Sequence, residues 1–382
     1  MSLGSTVALG TERAVEPVQG MHRAIVGRWF AALNPVGTPI RWVHDAISSV
    51  VYGSIRLTGT VVGIGLDAGM AVEQGTTDSV QAYVNGLWGD TLGRHEDRLG
   101  ISMGIRDSRG AVTVGPGLGA AFPATTGRLV VLVHGLMETE QCWHGADTDP
   151  GLAQALEDHP DLTPIPIRYN TGLRVSDNGS RLASLLEEVH AHWPVPVQSI
   201  ALVGHSMGGL VIRSACAAAH TAGHRWIDDV EQVVTLGSPH RGAPLEKLTN
   251  MVAWALSAVA ETRPLADSLN ARSVGIKDLR FGAIVEEDWT GTDPDALLTN
   301  TVGEHSLPAG INHHFVAGVI TTDPAHPVGV MMGDLLVRAA SSTGGRRLEP
   351  TTAVIIGGTH HFSLLQQPAV MDYLMKWLEP PT

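Results

Sequence analysis

The chain has 382 residues, 43% of them apolar, enough to bury the core of one large domain with an extension, or of two domains. This apolar content excludes disorder along the whole chain. Asp and Glu number 38 against 25 Lys and Arg, and the net charge of −13 would repel phosphate backbones, so nucleic acid is not an expected partner. The two cysteines, Cys142 and Cys216, cannot supply a four-thiolate zinc site, and the sequence leaves open whether they are bridged.

The first part of the chain predicts an N-terminal helical extension, residues 1–95. Residues 1–20 are acidic and polar where a signal peptide needs a basic start and an apolar run, so we expect a cytoplasmic protein. The stretch 46–72 is apolar and Gly-rich, but Arg56 and Asp67 interrupt it, which favours a packed helix over a membrane-spanning one. A Gly-rich helix lets another helix approach closely, so the extension is expected to pack against the rest of the chain or a second subunit. The alternative is that its apolar surface holds the protein to a membrane.

The remainder, residues 96–382, predicts an α/β domain. Two short extended segments, 101–105 and 111–114, flank a turn and indicate a hairpin. Apolar, β-rich runs then alternate with helical patterns, as a doubly wound, mostly parallel sheet buried on both faces requires. The predicted strands are 129–133, 163–169, 199–203, 231–236, 314–320 and 353–356; the predicted helices are 151–158, 178–192, 207–220, 333–340 and 368–379.

A serine at a strand-to-helix turn is the strongest chemical signal. Ser206 lies at the centre of Gly-His-Ser-Met-Gly, residues 204–208, between the strand 199–203 and the helix 207–220. A second match at residues 100–104 lacks both a preceding strand and a following helix. A nucleophile raised on such a turn, at the positive end of a helix, suits covalent catalysis.

An activated serine needs a histidine oriented by a carboxylate, in the chain order serine, acid, histidine. After the last predicted strand, His360 and His361 are adjacent candidates for the base, and Asp334 and Asp323 are candidates for the acid.

The oxyanion that forms in acyl transfer needs backbone N–H donors. His134 and Gly135 directly follow the strand 129–133, so the N–H of Leu136 is expected to act together with that of Met207. We assign His134, Gly135 and His205, which adjoin these donors, to substrate binding.

These features over residues 128–380 resemble the α/β-hydrolase superfamily, in its lipase and esterase branch with a GHSMGG elbow, and are similar to inositol-deacylase-like hydrolases of bacteria. In that family the last motif is H-x-x-L-L-x-x-P-x-V, and the match implies that the base is His361 rather than His360. A stretch similar to G-D-x-x-V implies that the acid is Asp334, with Asp323 as the alternative. The loops 169–172 and 236–242 also match, and we interpret them as shaping the site.

The resemblance implies a cap insertion at about 243–310, where apolar residues recur at helical spacing between 245 and 259. The predicted function is hydrolysis of apolar acyl esters by a carboxylesterase or lipase. The alternatives are an acyltransferase or amidase on the same residues, and a non-enzymatic binding protein on this fold. No cofactor and no metal is expected; His220 and His224 have helical zinc-ligand spacing but lack the accompanying Glu.

Overall fold

The computed structural model describes residues 74–94, 100–115, 117–145, 151–243, 272–291, 293, 302–303, 305–344 and 348–379, and the single positions 15, 19, 22, 26, 48, 52 and 53. The chain divides into two compact units, Met1–Val80 and Gln81–Thr382. The expected extension, residues 1–95, crosses this boundary, and most of it lies outside the described residues, as do the contacts predicted for its Gly-rich stretch. Within the described ranges, no helix has the length and apolar character needed to cross a membrane.

Strands and helices alternate along the second unit, as the hydrophobic pattern predicts. The strands are β1 (Gly104–Asp107), β2 (Gly110–Val112), β3 (Arg128–Val133), β4 (Thr163–Arg168), β5 (Ser199–His205), β6 (Val230–Leu236), β7 (Asn312–Val319) and β8 (Thr352–Gly357). The helices are α1 (Gln74–Arg94), α2 (Leu118–Ala121), α3 (Gly151–Glu157), α4 (Val175–His192), α5 (Met207–Ala222), α6 (Val274–Asp278), α7 (Pro327–Met332), α8 (Ala339–Ser342) and α9 (Pro368–Leu378). Short 3₁₀ turns occupy Glu140–Trp143, Trp226–Asp229, Glu286–Asp288 and His361–Gln366.

One eight-stranded sheet has the order β2-β1-β4-β3-β5-β6-β7-β8. The six strands from β4 to β8 in this order are parallel, and β1 pairs antiparallel with both β4 and β2. The predicted hairpin is therefore present, with Asp107 opposite Gly110 at its turn. Because parallel strands end at the same edge, the loops after β3, β5, β7 and β8 meet at one edge of the sheet.

The sheet is buried on both faces, which explains its continuous apolar strands. Along β3, Leu129, Val131 and Val133 belong to the core beneath α4 and α5, whereas Val130 and Leu132 belong to the core beneath α3 and α9. Successive side chains of a strand point to opposite faces of the sheet, which explains this alternation. The predicted doubly wound α/β architecture is confirmed.

The helix predicted over 333–340 is wrong in extent. Only α8, from Ala339 to Ser342, is helical there, and the chain turns tightly before it, with φ of 61° at Gly333 and 83° at Leu335. Left-handed φ values cannot continue an α-helix. The apolar helix predicted within the cap, between 245 and 259, lies outside the described residues.

Candidate active site

Ser206 lies at the turn that joins β5 to α5. Its backbone has φ 51° and ψ −119°, a conformation that is strained for a residue with a side chain. The Ser206 N–H donates to the carbonyl of Leu236, at 2.8 Å, which fixes the turn against the end of β6. Close packing also requires glycine here, because a Cβ at Gly208 would lie 2.1 Å from the carbonyl oxygen of Val133. The geometry explains the small residues around the serine.

His361 connects Ser206 to Asp334. Its Nε2 lies 2.8 Å from Ser206 Oγ, and its Nδ1 lies 2.7 Å from Asp334 Oδ2. A carboxylate only accepts, so Nδ1–H donates to Asp334, and Nε2 is left to accept the proton of the serine hydroxyl. All three side chains are buried. The three residues that the sequence analysis proposed as nucleophile, base and acid thus form one hydrogen-bonded row.

Backbone groups fix the carboxylate of Asp334. Its Oδ1 accepts the N–H groups of Leu336, at 3.0 Å, and Val337, at 2.7 Å, while its own carbonyl accepts the N–H of His361 at 3.0 Å. These bonds account for the turn where a helix was predicted, because the side chain takes N–H groups that a helix would use. Oδ2 is left to face the imidazole.

The alternative candidates lie elsewhere. Asp323 is exposed, and its Oδ1 accepts the N–H of Ala325 within a turn. His360 is also exposed, and its Nδ1 accepts the N–H of Ser363 at the start of the last 3₁₀ turn. Both side chains serve local turns, whereas His361 and Asp334 face each other.

The two predicted oxyanion donors lie on different elements, the N–H of Leu136 in the loop after β3 and that of Met207 at the start of α5. The carbonyl of Gly135 accepts from His134 Nδ1–H, at 2.9 Å, and from the N–H of Glu138, at 3.3 Å. The N–H of a trans peptide points opposite to its C=O, so the N–H of Leu136 is directed away from these two donors. The N–H of Met207 belongs to the first turn of α5, where helical N–H groups lack intrahelical acceptors. Neither of these two N–H groups has an acceptor among the residues that the structure describes.

Gly135 lies directly against the serine. A Cβ at this position would be 3.0 Å from Ser206 Cβ and 2.8 Å from Glu138 Oε2. Its N–H donates to the same Glu138 oxygen at 2.7 Å. Glycine therefore permits the close approach that brings the loop after β3 to the nucleophile.

The imidazole of His134 is enclosed by protein. Its Nδ1–H bond to Gly135 leaves Nε2 as the acceptor for the N–H of Tyr169, at 3.4 Å, and the two rings stack with centroids 4.5 Å apart. Burial lowers the pKa of His134 below its ordinary value, in agreement with this neutral form. The contacts of His134 support the loop; its assignment to substrate binding stays a prediction.

His205 is equally buried but has acceptors at both ring nitrogens. Nδ1 lies 2.9 Å from Glu138 Oε2, and Nε2 lies 3.4 Å from the carbonyl oxygen of His361. Burial alone would lower the pKa of His205, but the charge and hydrogen bond of Glu138 outweigh it, and the pKa is raised. Its assignment to substrate binding also stays a prediction, because its ring contacts protein on both sides.

One residue that contacts the site, Glu138, was not predicted from the sequence. Glu138 links Gly135 to His205, and Thr171 Oγ1 accepts the N–H of Met137 at 3.2 Å. Thr171 lies in the loop 169–172 that the sequence analysis interpreted as shaping the site. The position of Thr171 after the end of β4 was the signal that placed its loop at the site. For Glu138 the available signal was its closeness in the sequence to His134.

Helix α1 supports the same loop from outside. Asn170 Nδ2 donates to the carbonyl of Gly89, at 3.0 Å, and a Cβ at Gly89 would lie 2.0 Å from Asn170 Oδ1. Residues 81–94 of α1 therefore belong with the sheet, as the boundary at Val80 indicates.

Neither cysteine is bridged: Cys142 is half-buried and Cys216 is buried behind the serine turn, as expected of a packed thiol. No group of three or more His, Cys, Asp or Glu side chains in the described ranges is arranged to hold a metal ion.

The parallel sheet, the strained serine after β5 and the histidine after β8 together define the α/β-hydrolase fold, which confirms the predicted superfamily resemblance. Residues 176–316 match a family model described as the PGAP1-like alpha/beta domain, which covers less than half of the chain. The finer likeness to inositol deacylases stays a prediction. No curated protein matches the sequence.

Solved structures that match part of this chain include enzymes from several organisms. The mature lipase BlEst2 of Bacillus licheniformis is 23% identical, with a TM-score of 0.43 over 68% of this chain and 94% of that chain. The Pyrococcus furiosus esterase PF2001 is 12% identical, with a TM-score of 0.41 over 67% of this chain and 82% of that chain. The phospholipase PlaB of Legionella pneumophila is 15% identical, with a TM-score of 0.42 over 67% of this chain and 60% of that chain.

Proposed function

We propose that this protein is a serine hydrolase of carboxylic esters that acts through an acyl-enzyme on Ser206, with His361 as base and Asp334 as acid. The observation that carries the proposal is the buried row of hydrogen bonds, 2.8 Å from Ser206 Oγ to His361 Nε2 and 2.7 Å from His361 Nδ1 to Asp334 Oδ2. The strained φ of 51° at Ser206 supports it, because strain of this kind persists where a function needs it.

In the proposed mechanism, Ser206 Oγ attacks the acyl carbonyl carbon while His361 Nε2 takes the hydroxyl proton. Asp334 stabilises the imidazolium that forms. The N–H groups of Leu136 and Met207 bind the oxyanion. When the bond to the leaving alcohol breaks, His361 returns the proton to that oxygen. Water then attacks the acyl-enzyme with the same proton transfers, which releases the acid and restores the serine.

Apolar side chains beside the row support an ester with an apolar acyl part. Leu335 follows Asp334 and is 56% exposed, and Phe362 follows His361 and is 58% exposed. The ring of Phe362 meets the His361 imidazole edge-on, with centroids 5.5 Å apart. Exposed apolar residues at such positions would gain from covering by a substrate chain.

The proposal is tested with p-nitrophenyl esters from acetyl to palmitoyl. We expect turnover that Ser206→Ala abolishes and a fluorophosphonate that labels the wild type but not this variant. Ser102→Ala is the matched control, because Ser102 lies in the second Gly-x-Ser-x-Gly match and is exposed. A peak at short chains would indicate a carboxylesterase, and a peak at long chains would indicate a lipase. Absence of turnover and labelling in the wild type, or full activity of Ser206→Ala, would refute the proposal.

Competing alcohols test the second use of the same residues. Transfer of the acyl group to an added alcohol in preference to water would identify an acyltransferase, since the two reactions share the acyl-enzyme. Predominant release of free acid supports the hydrolase.

A further inference from the structure

The Glu138 carboxylate is held inside the loop after β3. Its Oε2 accepts the N–H of Gly135, at 2.7 Å, and Nδ1–H of His205, at 2.9 Å. Burial and the nearby charge of Glu138 raise the pKa of the Cys142 thiol well above its ordinary value. The side chain is only 14% exposed. One oxygen therefore joins the loop that carries the Leu136 N–H to the strand end that precedes Ser206.

His205 extends this link to a third loop. Its Nε2 faces the carbonyl oxygen of His361 at 3.4 Å, while its Nδ1 faces Glu138. A carboxylate and a carbonyl only accept, so the imidazole satisfies both when both of its nitrogens carry protons. The pKa directions agree: despite burial, the pKa of Glu138 is lowered to about 2 by the charge of His205, and that of His205 is raised by Glu138. His134, with a donor and an acceptor as neighbours, is the neutral counterpart.

Each of the three loops carries one part of the proposed machinery. The loop after β3 presents the Leu136 N–H, the end of β5 leads into Ser206, and the loop after β8 carries His361. In a site where a misplacement of about 1 Å can cost about 100-fold in rate, a contact among all three is well placed to set their spacing.

We propose that Glu138 is a positioning residue: with a doubly protonated His205 it forms a buried charged bridge that holds the oxyanion loop, the serine turn and the histidine loop in register. This inference rests on the proposed function. The bridge acts through the three loops rather than on the reacting atoms.

Two substitutions separate the charge from the hydrogen bonds. Glu138→Gln can keep both bonds, because its amide oxygen can occupy the position of Oε2, but it removes the charge that keeps His205 protonated. We expect kcat to fall about 3- to 10-fold. Glu138→Leu removes the acceptor as well, and we expect kcat to fall about 100-fold, comparable to loss of an oxyanion donor. KM should stay within about threefold in both variants, since the substrate contacts remain.

Glu140→Gln is the matched control for stability. Glu140 lies in the same region and is buried, but it pairs with Arg168, at 2.5 Å, rather than with the loops of the site. We expect this variant to lower the unfolding temperature and leave kcat within about threefold of the wild type. If Glu140→Gln lost as much kcat as Glu138→Leu, or if Glu138→Leu retained kcat within threefold, the positioning role would be overturned.

The protonation of His205 provides a readout that does not depend on activity. In the ¹⁵N-histidine spectrum of the full chain at pH 7, the signals that His205→Asn removes should show two protonated nitrogens. In Glu138→Gln they should show one, which also decides the question if Glu138→Leu does not fold. The charged or titratable groups that face this ring are Glu138 and His361, with Asp334 beyond. A neutral His205 in the wild type, or an imidazolium that persists in Glu138→Gln, would overturn the bridge.

The two proposals fail in different ways. A wild type that turns over no ester and resists the fluorophosphonate refutes the proposed function, whereas the spectrum still tests the bridge. An active wild type with an unaffected Glu138→Leu refutes the bridge alone.

Discussion

Replacing Asp334 by Asn should leave the fold in place and inactivate the enzyme by reversing the tautomer of His361. Oδ1 of Asp334 accepts two backbone N–H groups, from Leu336 and Val337, so the carbonyl oxygen of an asparagine must take that position. Its NH₂ group then takes the position of Oδ2, which lies 2.7 Å from His361 Nδ1 in the wild type. Since an amide NH₂ only donates, Nδ1 must become the acceptor and Nε2 must carry the proton. An Nε2–H imidazole cannot accept the proton of Ser206.

The size of the effect follows from what is lost. The serine loses its general base, and the imidazolium loses its counter-charge. In a serine protease the same exchange lowers kcat by about 10⁴, which corresponds to about 5 to 6 kcal/mol in the activation free energy. Stability should change less, because the bonds from Leu336 and Val337 to Oδ1 are kept. We therefore expect an unfolding temperature near that of the wild type.

The assay is hydrolysis of the best p-nitrophenyl ester, with kcat and KM measured separately. Asp323→Asn is the control, because it makes the same chemical change at the exposed turn where the alternative acid lies. It should retain wild-type turnover. An Asp334→Asn variant that keeps more than about a tenth of the wild-type kcat, or an Asp323→Asn variant that loses as much kcat as Asp334→Asn, would refute the role of Asp334 as the acid.

Three further outcomes are expected. Ser206→Gly should be more stable than Ser206→Ala by about 1 kcal/mol in unfolding free energy, because glycine adopts the φ of 51° at this position without the strain that a side chain causes. Thermal melts that show equal stability for the two variants would contradict this. Glu138 should stabilise the fold most between about pH 4.5 and 6.5. Folding lowers the pKa of Glu138 from 4.5 to about 2, which stabilises the fold by about 3 kcal/mol above pH 4.5, and this contribution is lost as the pH falls from 4.5 to 2. The raised pKa of His205 adds stability that is lost as the pH rises above 6.5. Denaturant unfolding of wild type and Glu138→Leu from pH 3 to 9 checks this, and a difference independent of pH would count against it. Phe362→Ala should raise KM for octanoyl esters and leave that for acetyl esters unchanged; equal effects on both would exclude an acyl contact.

The sheet and the serine turn could be predicted because their signals are local. Val130 and Val131 lie on opposite faces of β3, yet both are fully buried, so the strand is apolar at every position from 129 to 133 and is visible as a short run. Ser206 has a strand before it, a helix after it and glycines that permit the turn, all within about twenty residues. The second Gly-x-Ser-x-Gly match, around Ser102, lacks this context and lies before β1 with its side chain exposed.

The segment around Asp334 could not be predicted in the same way. Apolar residues at 335, 336, 339 and 340 have the spacing of a helix, but the Asp334 carboxylate accepts two of the N–H groups that a helix would need. Leu335 consequently has a φ of 83°, a backbone conformation that the spacing of apolar residues does not predict. The same two hydrogen bonds to Oδ1 leave Oδ2 facing His361. The bonds that prevent the predicted helix are therefore the ones that orient the proposed acid.

The two histidines near the oxyanion loop show a different limit. His134 and His205 each adjoin a glycine at the end of a buried strand, and the sequence suggests the same role for both. Their protonation differs because their neighbours differ: an N–H and a carbonyl flank His134, whereas Glu138 and a carbonyl flank His205. A glutamate in a loop is expected at the surface, and its burial is stable only with a cation from elsewhere in the chain. Charge inside this site is therefore a property of the folded contacts, and it can be inferred only after β3 and β5 are placed side by side.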